Sequence, residues 1–216
     1  MQIRGFIVAY SLVLAILLFA DRRPGSSQQD RYSHVVDLTE GQDATTLRTV
    51  PLDSRTRIIA PGALIPGTWN AGQIPAERLV APLIVMDVKA ATGDQARISL
   101  DDISAWESLH GMIPPGAVVA IRGAAPVSSS SLFPITREAS MFLIDGRTTI
   151  GFALDTPVDL TQDRPLGRQL ALHGSYVVEQ AAHFAALPAT GSLVIVAPAK
   201  DKKSGKAPVR MLAMVR

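Results

Sequence analysis

The chain contains no cysteine, which removes disulfides, thiolate zinc sites, iron–sulfur clusters and a thiol nucleophile together. Only four histidines occur, His34, His110, His173 and His183, and none stands in an HxxxH or HExxH pattern. A metal centre built from several imidazoles is therefore disfavoured. Aromatic residues make up 5% and charged residues 19% of the 216 positions, and the net charge of +2 is not gathered into a basic tract. Nucleic acid as a partner is not signalled by such a distribution. A phosphate-cradling GxxxxGK pattern and a GxSxG nucleophile elbow are both missing, so the sequence signals neither a P-loop nor a serine hydrolase.

What is present is a hydrophobic fraction of 47% in 216 residues, enough for one well-cored domain and a short additional segment. That segment is the N-terminal stretch MQIRGFIVAYSLVLAILLFADRR, with Arg4 ahead of an apolar run from Gly5 to Ala20 and charges at Asp21, Arg22 and Arg23. The run suits a secretory h-region and is short for a bilayer span of about 20 residues. Residues 1–23 are read as an export signal or a retained membrane anchor, and residues 24–31 as a polar linker. The expected location is periplasmic or extracellular, with any tether to the inner membrane running through residues 5–20. Leu18 is a poor partner for Ala20 in a small-x-small cleavage site.

From Tyr32 onward short β-branched runs alternate with helical patterns, which predicts an α/β domain over 32–216. HVVDL (34–38) and APLIVMDV (81–88) read as strands, the second buried on both faces. Ser99, with Asp102 three residues on, predicts a capped helix that carries an apolar stripe of Ile103, Trp106 and Leu109 and stops at Gly111. Strands follow at 117–123, 149–154, 175–179, 192–198 and 209–215. Helices are expected over 136–144, 166–172 and the segment QAAHFAAL (180–187), and the Ser-rich 125–134 is a connector.

Several phrases in order, VVDLT, IPGTWNAGQIPAERLVAPLIVMDV, AWESLHGMIPPGAVVAIRG, FPITREA, IGFALDTPVDL and LPATGSLVIVAP, resemble the cyclase family of metal-dependent hydrolases, typified by the kynurenine formamidases. The resemblance implies a single compact α/β domain of the swivelling β/β/α type, oligomers built on dimers, a place in tryptophan catabolism and hydrolysis of an aryl formamide such as N-formylkynurenine. It also implies a divalent metal such as zinc or manganese, which activates a water and polarises the carbonyl under attack.

The family's ligand motif, HxGxHxDxPxH, takes its register here from Pro61. Asp53 then stands at the first histidine, Arg55 at the glycine, Arg57 at the second histidine, Ile59 at the aspartate and Ala63 at the last histidine. Farther on, Gly167 takes the place of a histidine twelve residues before a metal-binding glutamate, and Glu179 keeps that glutamate. Two carboxylates without imidazoles suit a hard cation better than zinc, and the Arg57 charge opposes any cation. No bound metal is expected. Arg57 is expected to pair with Glu179 or Asp53 instead.

The remaining candidates have mostly structural readings. His110 and His173 close helices, where imidazoles meet carbonyls and the helix dipole. His34 precedes the first strand. Asp155 and Asp159 in LDTPVD are placed to cap a turn. Trp106 reads as a core residue. Trp69, beside the family's pocket, and His183, shortly after Glu179, are candidate pocket residues. The sequence therefore predicts an exported cyclase-fold protein without the metal-dependent activity, acting in binding of a small aromatic compound or in assembly as a homodimer. The alternative is an active hydrolase with an altered site.

Overall fold

The computed structural model describes residues 32–39, 56–88, 97–123, 133–161 and 163–216. The N-terminal export or anchor segment lies outside them, and no helix among the described residues is long and apolar enough to cross a membrane.

Alternation of side chains along extended segments decides the architecture. Strands β1 (His34–Asp37), β2 (Arg57–Ile59), β3 (Val80–Asp87), β4 (Val118–Arg122), β5 (Gly151–Leu154), β6 (Tyr176–Glu179), β7 (Ser192–Pro198) and β8 (Lys206–Val215) form one sheet in the order β1-β8-β2-β6-β5-β4-β3-β7. β3, β4, β5 and β6 run parallel, and the other pairings are antiparallel. β7 also pairs with β8, from Leu193 opposite Met214 to Pro198 opposite Val209, so all strands but β1 close into a barrel.

With a period of two, successive residues of each strand face opposite sides of the barrel wall. Leu83, Val85, Val118, Ala120, Tyr176, Val178, Met211 and Ala213 fill one core, inside the ring. Their neighbours Ile84, Met86, Val119, Ile121, Phe152 and Val177 face a second core, where helices pack. A single strand thus serves two layers, which is why APLIVMDV reads as continuously apolar.

Helix α1 (Leu100–His110) is capped as its sequence predicts: the Ser99 side chain accepts from the Asp102 amide, Asp102 reciprocates on the Ser99 amide, and Gly111 ends it at φ +86°. Leu109 departs from the expected stripe and is 81% exposed, because six residues carry it about 240° round the helix from buried Ile103. Trp106 is held by a hydrogen bond from Nε1 to the Val85 carbonyl at 2.9 Å. Helix α2 (Arg137–Met141) runs on through a wider turn at Phe142–Gly146. Helix α3 (Arg164–Leu172) is capped by Asp163 and buries Leu166, Gly167, Leu170 and Ala171.

QAAHFAAL is not a helix. The Ala181 amide donates to Leu154, the Ala182 amide donates to Leu38, and only a short 3-10 turn forms at Phe184–Ala186. Amides spent on neighbouring strands are unavailable for helical bonds, and His183 takes a left-handed conformation at φ +62°.

The lysine-bearing turn before β8 is fastened to segment 60–72. Ala60 N donates to Gly205, Ala71 N to Ser204, Gly72 N to Asp201, and Asn70 Nδ2 to Lys202.

Candidate functional site

Glu179 ends β6 on the helix-facing side of the wall and is 7% exposed. Its Oε2 accepts a hydrogen bond from the Val158 amide at 3.1 Å, so the carboxylate holds the chain that leaves β5. Arg57 lies directly across the antiparallel β2–β6 pair from Glu179, a register that points both side chains to the same face. The expected Arg57–Glu179 ion pair does not form; the described contact of the glutamate is the one with the Val158 amide. Asp53, the other expected partner of Arg57, lies outside the described residues, as does Arg55.

The other expected ligand positions are occupied by side chains without donors. Ile59 is 1% exposed and packs in the helix-facing core. Ala63 ends the short turn Pro61–Ala63, beyond β2. Gly167 is buried on α3, where an added Cβ would stand 3.1 Å from the Leu160 carbonyl. A methyl there is already crowded, and an imidazole would require the backbone to move. Among the described residues no three His, Asp or Glu side chains come together in a way that could hold an ion. A divalent metal needs several such donors at once, so the described part of the site does not fit one.

The geometry offers a cleft instead. Ala63 and Gly167, two positions at which the family motif carries imidazoles, face the same cleft of about 370 Å³. Leu64, Ile65 and Leu160 give it apolar walls, and Thr161, Arg164 and Arg168 give it polar ones. Residue spacing alone did not single out Arg164 and Arg168. The available signal was two arginines four apart on a helix whose opposite face is apolar.

Trp69 and His183 lie toward opposite ends of β6. Trp69 lies against Gly174, just before β6, with the Arg78 guanidinium 5.7 Å from its ring centroid. His183 follows the other end of β6. Packing settles Trp69: Gly174 at φ +65° leaves room for its ring, and Arg78 also donates to the carbonyls of His173 and Gly174.

Of the two aspartates Asp159 takes the turn position its sequence predicts, whereas Asp155 reaches across to the end of β4. Asp155 accepts from the Gly123 amide at 2.9 Å, and burial pushes its carboxyl above the usual carboxylate range. Asp159 accepts from both the amide and the hydroxyl of Thr161. His173 Nε2 lies 3.3 Å from Asp145 Oδ1, and the His110 ring lies 4.9 Å from that of Trp106.

A closed mixed barrel with, among the described residues, three helices packed against it, in this segment order, defines a protein of the metal-dependent hydrolase and cyclase class of folds. The chain belongs to the Cyclase family, whose sequence model matches residues 27–158. Among solved structures it is similar to isatin hydrolase A from Labrenzia aggregata, solved with benzyl benzoate bound, at 26% identity over 96% of this chain and 99% of that one, with a TM-score of 0.68. Isatin hydrolase A from Ralstonia solanacearum has 22% identity over 96% and 97% of the two chains and a TM-score of 0.67. A potential metal-dependent hydrolase with cyclase activity has 24% identity over 85% and 98%, with a TM-score of 0.61. No curated protein gives a significant match.

Proposed function

We propose that this chain is a cyclase-fold binding protein that has given up the family's metal-dependent hydrolysis and holds a small molecule in the cleft beside α3. The observation that carries this reading is the fate of the ligand positions: Arg57, Ile59, Ala63 and Gly167 supply no metal donor, and Glu179 is engaged by the Val158 amide. Catalysis by the family route needs an activated water, which without a metal requires a general base beside the reacting carbonyl. An open cleft bordered by Ala63 and Gly167 leaves binding as the function that survives.

The protein acts, in this reading, outside the cytoplasm, exported or tethered through residues 5–20, and as a homodimer. The apolar N-terminal run and the family resemblance support these two points.

A second reading rests on a separate observation. Identity of 26% to isatin hydrolase A across nearly its whole length favours a hydrolase acting on an aryl amide, N-formylkynurenine or isatin among them. In this reading Glu179 and Asp53 hold an ion together or act on water directly.

Metal content separates the readings. The purified full chain is dialysed against zinc, manganese and magnesium in turn, its bound metal is measured by mass spectrometry, and hydrolysis of isatin and N-formylkynurenine is followed. Binding without chemistry predicts no stoichiometric ion and no turnover. A stoichiometric ion that disappears in Glu179→Gln, together with turnover, replaces the first reading with the second.

A further inference from the structure

The α3 cleft has a chemical character of its own. Arg164 and Arg168 stand four residues apart on one helix and therefore on neighbouring turns of one face. Most other described arginines are engaged. Arg122, Arg137, Arg147 and Arg210 each hold a carboxylate, while Arg78 and Arg97 donate to backbone carbonyls. Among the described residues neither Arg164 nor Arg168 is offered an acid or a carbonyl, although both border a cavity. Asp163, the acid next to Arg164 in sequence, is occupied: its Oδ1 accepts from the Leu166 amide and from Arg137. Asp159, at the mouth of the same loop, takes both donors of Thr161.

Two free guanidiniums beside an apolar wall make a specific kind of site. A guanidinium presents a planar fork that matches a carboxylate in two parallel hydrogen bonds, and such charge-assisted bonds are stronger than neutral ones. Leu64, Ile65 and Leu160 present hydrocarbon to whatever the carboxylate is attached to. The room of about 370 Å³ lies near the lower end of the range in which small-molecule sites fall, roughly 300–1,000 Å³, and so suits a single ring better than a polymer or a nucleotide. Ala63 presents only a methyl group to this room.

We propose that this cleft binds a small aryl carboxylate, its ring against Leu64, Ile65 and Leu160 and its carboxylate on Arg164 and Arg168. The proposal rests on the binding reading above and names its ligand class. Charge in this site is supplied by the protein, where a metal hydrolase would use its ion. Recognition therefore requires no metal and persists in the presence of a chelator.

The test uses the full chain with EDTA present and benzoate as the probe. Benzamide, the neutral analogue of the same shape, and inorganic phosphate, an anion without a ring, are titrated in parallel by calorimetry. The expected result is benzoate binding at least tenfold tighter than either control, and a tenfold or greater loss of that affinity in the double variant R164Q/R168Q. Both arginines are exposed, so the double variant leaves the fold intact, which circular dichroism checks. Equal affinity for benzoate and benzamide, or unchanged benzoate affinity in the double variant, overturns the proposal. Phosphate binding as tight as benzoate overturns the aryl part and leaves a plain anion site. Failure of benzoate in a protein that also carries no metal removes the ligand class while the metal-free reading stands. A stoichiometric metal in the preceding experiment removes that reading itself.

Discussion

Glu179 grips the amide of Val158, a residue twenty-one positions earlier, at a point where β5 has ended and the chain turns toward α3. The glutamate at the family motif's ligand position therefore also makes a scaffold contact. Replacing it by alanine strands a buried N–H, at a cost of about 1–3 kcal/mol. Glutamine keeps an acceptor oxygen at the same reach and should lose less than about 1 kcal/mol. Urea denaturation midpoints of Glu179→Ala and Glu179→Gln check this, and equal loss in both would mean that the hydrogen bond contributes nothing.

Ile59 stands where the motif has its aspartate, and it is 1% exposed in the helix-facing core. Restoring the family residue by Ile59→Asp would bury a carboxylate among hydrocarbon. Such a change should cost at least about 3 kcal/mol, the sum of lost packing and charge burial. The shift in urea midpoint reads the cost directly, and a variant as stable as the parent would show that the surroundings can still solvate an acid.

Strand positions other than β2, and the capped helix α1, were legible in the sequence because they rest on local physics. The continuous apolar runs of β3 and β7, and the Ser99–Asp102 box with Gly111 at the end, each act within a few residues of themselves. Closure of the barrel by β7 and β8 was not legible, since it depends on a register between strands that no local pattern specifies. QAAHFAAL misled for the same reason: its alanines favour helix, and tertiary pairing to Leu38 and Leu154 overrode that preference. At the site, the sequence names the residues at the expected ligand positions, and no local pattern says which of them meet. The Arg57–Glu179 pairing expected from the sequence is not made: the two residues lie opposite each other on β2 and β6, and the Glu179 carboxylate meets the Val158 amide.

Acid should weaken the packing of α1 through one buried-edge pair. Arg147 donates two hydrogen bonds to Glu107, which also accepts from the Ile113 amide, and the Arg147 hydrogen bonds hold Glu107 below its ordinary value of 4.5. A carboxyl with a lowered folded pKa binds fewer protons in the native state. Its stabilisation is complete above pH 4.5 and disappears as pH falls through the lowered value. Glu107→Gln should thus be less stable than the parent at pH 7 and match it more closely at pH 3. Parallel denaturation curves at the two pH values give the sign, and a gap that widens in acid contradicts the linkage.

Trp69 separates folding from binding. Its ring is 38% exposed, lies on Gly174 and receives the Arg78 guanidinium, all away from the cleft. Full burial would make Trp→Ala cost about 3–5 kcal/mol, and partial exposure reduces that to roughly 2. Benzoate affinity should stay within twofold of the parent, measured by the same calorimetry. A large loss of affinity with little loss of stability would return Trp69 to the ligand site.

The four hydrogen bonds that fasten the turn at Asp201–Gly205 to segment 60–72 reach the backbone that carries Ala63 and its neighbours Leu64 and Ile65. One wall of the cleft is therefore set before any ligand arrives. A guest need not organise that wall, so its binding free energy is not spent on chain entropy there. The lysines of the same turn, Lys202 and Lys203 among them, point outward from this buttress. Chemical modification of those lysines should consequently leave the occupancy of the cleft almost untouched, whereas cleaving the turn between them should loosen it.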